Sequence, residues 1–194
     1  TQWMAYRKMG TASVNGGALD RLAGKVAERS EALTERWSRD AGDRNAIEVE
    51  ISEASQAVTL EVIHEALFSE TLDVIDGEKD AVALARSFRE YNVASGALLN
   101  DFLSLYTMFE TPERARRDVH RRRLRAHFDE RADARRAAMA RDGVDAAPRD
   151  LLTALLTARD PETGENLTRD DVNLTLTLMM VAGRVVSPSA SDLS

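Results

Sequence analysis

Trp3 and Arg7 are the two residues whose types and spacing most directly suggest a binding function. They are four positions apart, so on a helix both side chains project from the same face. A guanidinium group next to an indole N–H can hold a carboxylate through charge-assisted hydrogen bonds. The pattern is common on amphipathic helices, and it gains meaning only from its place among other motifs.

The three histidines are the side chains of this chain best suited to a transition metal, and their spacing argues against a shared ion. His120 and His127 would lie about 10 Å apart along one helix, given a rise of roughly 1.5 Å per residue. A single ion would therefore need further ligands. His64 stands among helical apolar positions and is expected to be an ordinary, partly buried histidine.

Arginines crowd the segment 114–141, which could indicate a surface for nucleic acid or anionic lipid. The segment lacks lysine, its single Phe, Tyr or Trp residue is Phe128, and several acidic residues dilute its charge. We therefore expect a solvated helix face with paired charges. The ExxR pattern at 113–116 is a chance match at this arginine density, and we assign it no role.

Composition excludes several classes of site. The chain of 194 residues has no cysteine, which rules out disulfides, zinc–thiolate sites and thiol nucleophiles. It contains neither the GxGxxG nor the GxxxxGK[ST] pattern of phosphate-binding loops, nor GxSxG. Its net charge of −7 argues against general nucleic-acid binding. The longest apolar stretch is too short to cross a bilayer.

Apolar spacing and helix start and stop signals predict a mainly α-helical chain. Apolar residues recur at steps of three, four and seven, which places them on one helix face. Thr111 followed by Pro112 is a good helix start, and Gly143 is a good stop. Helices are expected over residues 1–9, 19–41, 49–71, 78–95 and 111–141, in a short stretch after Pro148 and over 167–183, with a less regular connector over 96–109.

Residues 167–183 are ambiguous by periodicity alone, because apolar and polar residues alternate there as in a strand. Thr168 and Asp171 have the spacing of a capping box. This start signal and the apolar run that follows favour a helix.

Four segments, taken in their order along the chain, resemble the cytochrome P450 family. Trp3 and Arg7 look like the WxxxR of that family's helix C, and residues 58–68 (VTLEVIHEALF) are similar to its helix E. Residues 149–164 (RDLLTALLTARDPETG) look like its helix H and the following turn. Residues 167–183 resemble the first half of its helix I. The resemblance covers about residues 1–184 and places helices D, F and G in the intervening helical stretches.

The resemblance implies a partial cytochrome P450 fold, helices C to I, over residues 1–184, with an atypical tail over 185–194. It implies haem (haem b) as the cofactor of the intact parent. Trp3 and Arg7 would hydrogen-bond a haem propionate, while the small Ala182 and Gly183 would let haem and O₂ approach helix I closely. No metal ligand is expected in this chain.

The sequence also departs from the family. Where the family places an acid and a threonine on helix I for proton delivery, this chain has Val185 and Val186. No catalytic residue is therefore expected to be intact. The cysteine loop and the ExxR helix of the family are absent, and a frameshift or truncation near residue 184 would explain the abrupt change in composition. The chain itself is expected to be inactive and not to bind haem through a thiolate.

The predicted function is therefore that of a fragment of a monooxygenase, which in the intact parent would oxidise a small organic substrate with O₂. Its partners would be that substrate and an electron-donating reductase or ferredoxin, with no nucleic acid. A cytoplasmic location is expected for a soluble, bacterial-type parent, and membrane attachment is left open. The alternative is a non-enzymatic all-α ligand- or nucleic-acid-binding regulator, and an anionic-lipid-binding helical protein is a third possibility.

Overall fold

The structure is a computed structural model that describes residues 16–44, 46–99, 111–159 and 164–182, with the backbone alone at 16–21, 97–99 and 182. These residues contain α-helices and no strand; Arg159 and Asn166 form one isolated bridge. None of the helices in these ranges is both long enough and apolar enough to cross a membrane. The helices are α1 (Gly16–Ala41), α2 (Ile51–Phe68), α3 (Lys79–Leu99), α4 (Pro112–Asp142), α5 (Leu151–Thr157) and α6 (Arg169–Ala182), with a 3₁₀ turn at Val144–Ala146.

The start and stop signals read from the sequence act as predicted. The hydroxyl of Thr111 accepts the backbone N–H of Arg114 at 3.2 Å, and Pro112 is the first helical residue of α4. Gly143 ends that helix with a φ of 90°, in the region that glycine tolerates best. Thr168 and Asp171 form reciprocal backbone bonds before α6, each side chain accepting the other residue's N–H at 3.2 Å. The helix predicted for 167–183 is confirmed over 169–182.

Three aromatic rings lie at the centre of the core. Phe68 at the end of α2 stacks on Phe128 of α4, with ring centroids 5.9 Å apart, and both are fully buried. Phe88 brings α3 into the same cluster, and Leu152 and Leu176 bring in α5 and α6. Helix α4 packs along α3 and also contacts α5 and α6, while α1 packs mainly on α2. Burial of this apolar cluster supplies most of the driving force for the fold.

Some sequence predictions are corrected by the structure. Helix α3 continues to Leu99, so the helix end predicted at residue 95 is wrong, and Gly96 is tolerated inside the helix. Val26, Val93 and Val119 are apolar residues inside helices that apolar spacing predicted, yet their exposed fractions are 47%, 65% and 53%. Each projects from its helix away from the shared cluster, because a stripe predicted from spacing is wider than the face that meets a neighbour.

Arg135 of α4 is a buried charge at the junction of three helices, with 8% of its side chain exposed. Its Nη1 donates to both carboxylate oxygens of Asp150 at 2.8 and 2.9 Å and to the hydroxyl of Thr153 at 2.6 Å. Its Nη2 donates to the carbonyl of Phe68 at 2.7 Å. Asp150 also accepts the N–H of Thr153 and so caps the start of α5. One guanidinium therefore joins the end of α2, the middle of α4 and the start of α5.

Replacing Arg135 by methionine should destabilise the chain by about 3–5 kcal/mol, because the carboxylate of Asp150 would remain buried without its partner. The matched control is Arg136→Met on the same helix. Arg136 pairs with Asp133 where both side chains are substantially exposed, so its loss should cost about 1 kcal/mol or less. Urea unfolding followed by circular dichroism measures both free energies. Equal effects of the two substitutions would contradict the role given to Arg135.

Candidate functional site

Most residues predicted for the site lie outside the described part of the chain. Trp3, Arg7, Gly183, Val185 and Val186 are among them, so their expected contacts stay predictions. Ala182 is the last residue of α6, and its backbone is helical. The described part of the candidate site is therefore α6, the helix that carries Ala182, together with the groups that orient it.

One face of α6 is embedded in the core. Val172, Leu176 and Met180 follow the spacing i, i+4, i+8 and are essentially inaccessible to solvent. Leu174 and Leu178 lie on the other side of the helix, each 56% exposed. The rotation of α6 about its own axis is therefore set by its packing against α2, α4 and α5.

Polar contacts with α4 fix the lengthwise position of α6. The side-chain amide of Asn173 donates to Asp129 at 2.8 Å, and Asn173 is buried. Arg169 pairs with Asp133 at 2.7 Å and with Asp129 at 3.4 Å, and Arg125 pairs with Asp170. Part of the arginine-rich segment thus serves to align α6, which agrees with the prediction of paired charges. The paired acids come from both helices.

The histidine expected to be ordinary is part of a pair. His64 of α2 is fully buried, and its Nε2 lies 3.1 Å from Nε2 of His127 on α4. Sequence reasoning compared His127 only with His120, which lies on the same helix, and missed this contact between helices. The sequence does indicate that His64 is buried, because it lies between Leu60 and Leu67 on the apolar face of α2.

The hydrogen bonds around the pair determine where each proton lies. Nδ1 of His64 is 2.9 Å from the carbonyl oxygen of Glu70, so this nitrogen must carry the hydrogen. Nη1 of Arg131 is 3.0 Å from Nδ1 of His127, so that nitrogen must be the acceptor. His127 therefore donates from Nε2 to Nε2 of His64. The carboxylate of Glu70 also pairs with Arg131 at 3.0 Å, which closes a ring of four residues in which Glu70 takes part through both its backbone carbonyl and its side chain.

Both imidazoles are held in the neutral form. Burial lowers the pKa of His64 to about 4, and the nearby Arg131 charge adds to this effect. Burial, with the Arg131 charge and then His64, lowers the pKa of His127 to about 3. Glu65 and the backbone carbonyl of Glu70 act in the opposite direction on His64 without cancelling the effect. Protonation would also remove the acceptor nitrogen on which each bond depends.

In this arrangement the histidine pair has a structural role. All four ring nitrogens already have hydrogen-bond partners, and a guanidinium lies beside them, which disfavours a cation. Within the described ranges, no group of three or more acidic, histidine or cysteine side chains is arranged to hold a metal ion. The geometry therefore indicates that these two histidines hold α2 and α4 in their relative positions.

Comparison with known proteins places this arrangement in a known fold. The family model described as Cytochrome P450 matches residues 1–191. Two solved structures, a cytochrome P450 (CYP102L1) and the cytochrome P450DA heme domain, are each similar with a TM-score of 0.65 and 20% identity over 92% of this chain. The chain covers 38% of the first structure and 35% of the second, so it spans little more than a third of their length. The search of curated proteins found no match.

The histidine pair predicts a loss of stability in mild acid. Because the pKa of each histidine is lower in the folded state than the ordinary value of 6.5, the stabilising neutral form is fully present above that value. Stability should fall as pH drops from 6.5 to 4, by up to about 1.4 kcal/mol per pH unit for each histidine. Urea unfolding at a series of pH values measures this slope.

His127→Gln should reduce this slope by at least half, since it removes one titrating ring and the hydrogen-bond donor of the other. His120→Gln is the matched control, because His120 lies on the same helix outside the ring of contacts. An unchanged slope in the His127 variant, or an equal change in both variants, would refute the assignment.

Proposed function

Because the chain belongs to the cytochrome P450 family, we propose that it forms the part of a haem-dependent monooxygenase that runs from helix C to helix I. The observation that carries the proposal is the family match over residues 1–191, and a similarity in fold to a solved cytochrome P450 over 92% of the chain supports it. In this assignment α1 to α4 are helices D to G, α5 is helix H and α6 is the first half of helix I.

The activity proposed for the intact parent is insertion of one oxygen atom from O₂ into a small organic substrate. Such an enzyme takes its electrons from a reductase or ferredoxin and its reactive chemistry from haem, while the protein orients the cofactor and shapes the pocket. The exposed side of α6, with Leu174 and Leu178, supports the view that further polypeptide or a ligand covers this helix in the working enzyme.

Trp3 and Arg7 are proposed to hold a haem propionate, because an indole N–H and a guanidinium one helical turn apart suit a carboxylate. Ala182 and Gly183 are proposed to leave room beside the haem, since neither has a side chain larger than a methyl group. The ion pairs between α4 and α6 support this role, because they fix the position of the helix that ends at Ala182.

The donor set of this chain does not fit a haem–thiolate. The sequence contains no cysteine, and His64 and His127 have no free ring nitrogen for iron. Val185 and Val186 have no group that could relay a proton. We therefore propose that this 194-residue chain has no monooxygenase activity, and that the activity belongs to the parent.

The 194-residue chain mixed with haemin and then reduced under CO should give no thiolate-type Soret band, because no side chain can supply the sulfur ligand. Absorption spectroscopy measures this directly, with an intact cytochrome P450 as the positive control. A thiolate-type band from the purified chain would refute the proposal that it lacks this ligation.

The proposal for the parent predicts that the DNA next to the coding region encodes a cysteine-containing haem-binding loop, in the same or another reading frame. Sequencing both flanks tests this prediction. If neither flank encodes such a loop, a monooxygenase parent at this locus is ruled out.

A further inference from the structure

A cleft of about 630 Å³ lies between the first three helices, apart from α6. Each helix contributes residues at the spacing i, i+3, i+4, i+7, which places them on one face. These are 33, 36, 37 and 40 on α1, then 50 at the N-cap of α2 with 53, 54 and 57 inside that helix, and 82, 85, 86 and 89 on α3. Arg44, Ile47, Glu48 and Val49, which lie between α1 and α2 in the chain, close one side. The volume falls within the range of about 300–1,000 Å³ that is usual for small-molecule sites.

The lining of the cleft is largely apolar and only partly covered. Trp37, Ile47, Val49 and Val74 line it and retain partial solvent access, and Val82 is 37% exposed. Leu60, which is buried, also borders the cleft. Leaving this much converging apolar surface open to water is unfavourable, and an apolar ligand would remove it from water.

The charged groups around the cleft are mostly engaged with one another. Arg89 pairs with Glu53 at 2.7 Å, and Arg36 donates to the carbonyl of Ile75 and lies 3.5 Å from Asp40. Glu50 accepts the backbone N–H of Glu53 as the cap of α2.

Arg44 donates to the carbonyl oxygens of Asp40 and Ala41, and no carboxylate of the described ranges forms an ion pair with it. Within the described ranges, Arg86, the indole N–H of Trp37 and Glu48 have no hydrogen-bond or ion-pair partner. The groups without a partner are thus two hydrogen-bond donors, the cationic Arg86 and the Trp37 indole, and one carboxylate, that of Glu48.

We propose that this cleft binds a small amphipathic anion, with an apolar body on the Trp37, Val49 and Val82 surface and a carboxylate paired with Arg86. The excess of free donors over free acceptors favours an anion over a cation, and Arg44 adds positive charge at the edge. This function is separate from the haem-related role proposed above, because no residue of α4, α5 or α6 lines the cleft.

The probe for this site is dodecanoate, added below its micelle-forming concentration to the full chain. The chain has two tryptophans, so Trp3→Phe leaves Trp37 as the single reporter of fluorescence. Dodecanoate should change Trp37 emission in a saturable way, with a stoichiometry of one by calorimetry. Arg86→Gln should weaken binding about tenfold, and Ala57→Phe, which fills the cleft from α2, should abolish it.

Arg123→Gln is the matched control, because Arg123 is exposed on α4 and remote from the cleft lining; it should leave the affinity unchanged. Dodecanol and dodecylammonium, which share the apolar body, should bind at least tenfold more weakly. The proposal is overturned by equal affinity for dodecylammonium, by unchanged binding in the Arg86 variant, or by the absence of saturable dodecanoate binding. Circular dichroism of each variant shows that the helices are retained.

Discussion

The buried guanidinium of Arg135 is the constraint on which the relative placement of the helices depends. Moving a charge into the interior is costly, and the cost is offset only when every donor finds an acceptor. Here the acceptors are the two carboxylate oxygens of Asp150, the hydroxyl of Thr153 and the carbonyl of Phe68. Because these groups belong to α5 and to the end of α2, the network is satisfied in one arrangement of three helices. Apolar packing alone would tolerate small rotations that this set of bonds forbids.

Two further residues extend the same polar line along α4. His127, Arg131 and Arg135 are spaced at i, i+4 and i+8, so they share one face, and each meets the C-terminal end of α2. That end carries carbonyl groups without partners inside the helix. Arg135 donates to the carbonyl of Phe68, the last residue of α2, and His64, held by His127, donates to the carbonyl of Glu70, two residues beyond the helix. The charges of Arg131 and Arg135 also lie at the negative end of the α2 dipole, where positive charge is favoured.

Local signals in the sequence predicted the fold class and most helix boundaries, because a cap or a glycine stop depends on residues close in the chain. Thr111, Gly143 and the Thr168–Asp171 box are examples. Arg135 and the His64–His127 pair were missed because their partners are between 15 and 67 positions away and are joined only by folding. The helical spacing did contain part of the answer, since Arg135 continues the buried stripe of Leu124, Phe128 and Ala132. The buried position of Arg135 was missed because every arginine of this segment was predicted to be solvated. Contacts of Trp3 and Arg7 remain predictions from motif order.

Two sets of contacts align α6. Val172, Leu176 and Met180 pack into the core and set the rotation of the helix about its axis. Asn173, Arg169 and Asp170 supply the lengthwise register by reaching α4 at Asp129, Asp133 and Arg125. These pairs are partly exposed, so each adds little to the free energy of unfolding. Their effect is to set the position of α6 along α4. Since α4 is itself fixed by Arg135 and the histidine pair, the position of Ala182 at the end of α6 depends indirectly on the buried charge of Arg135.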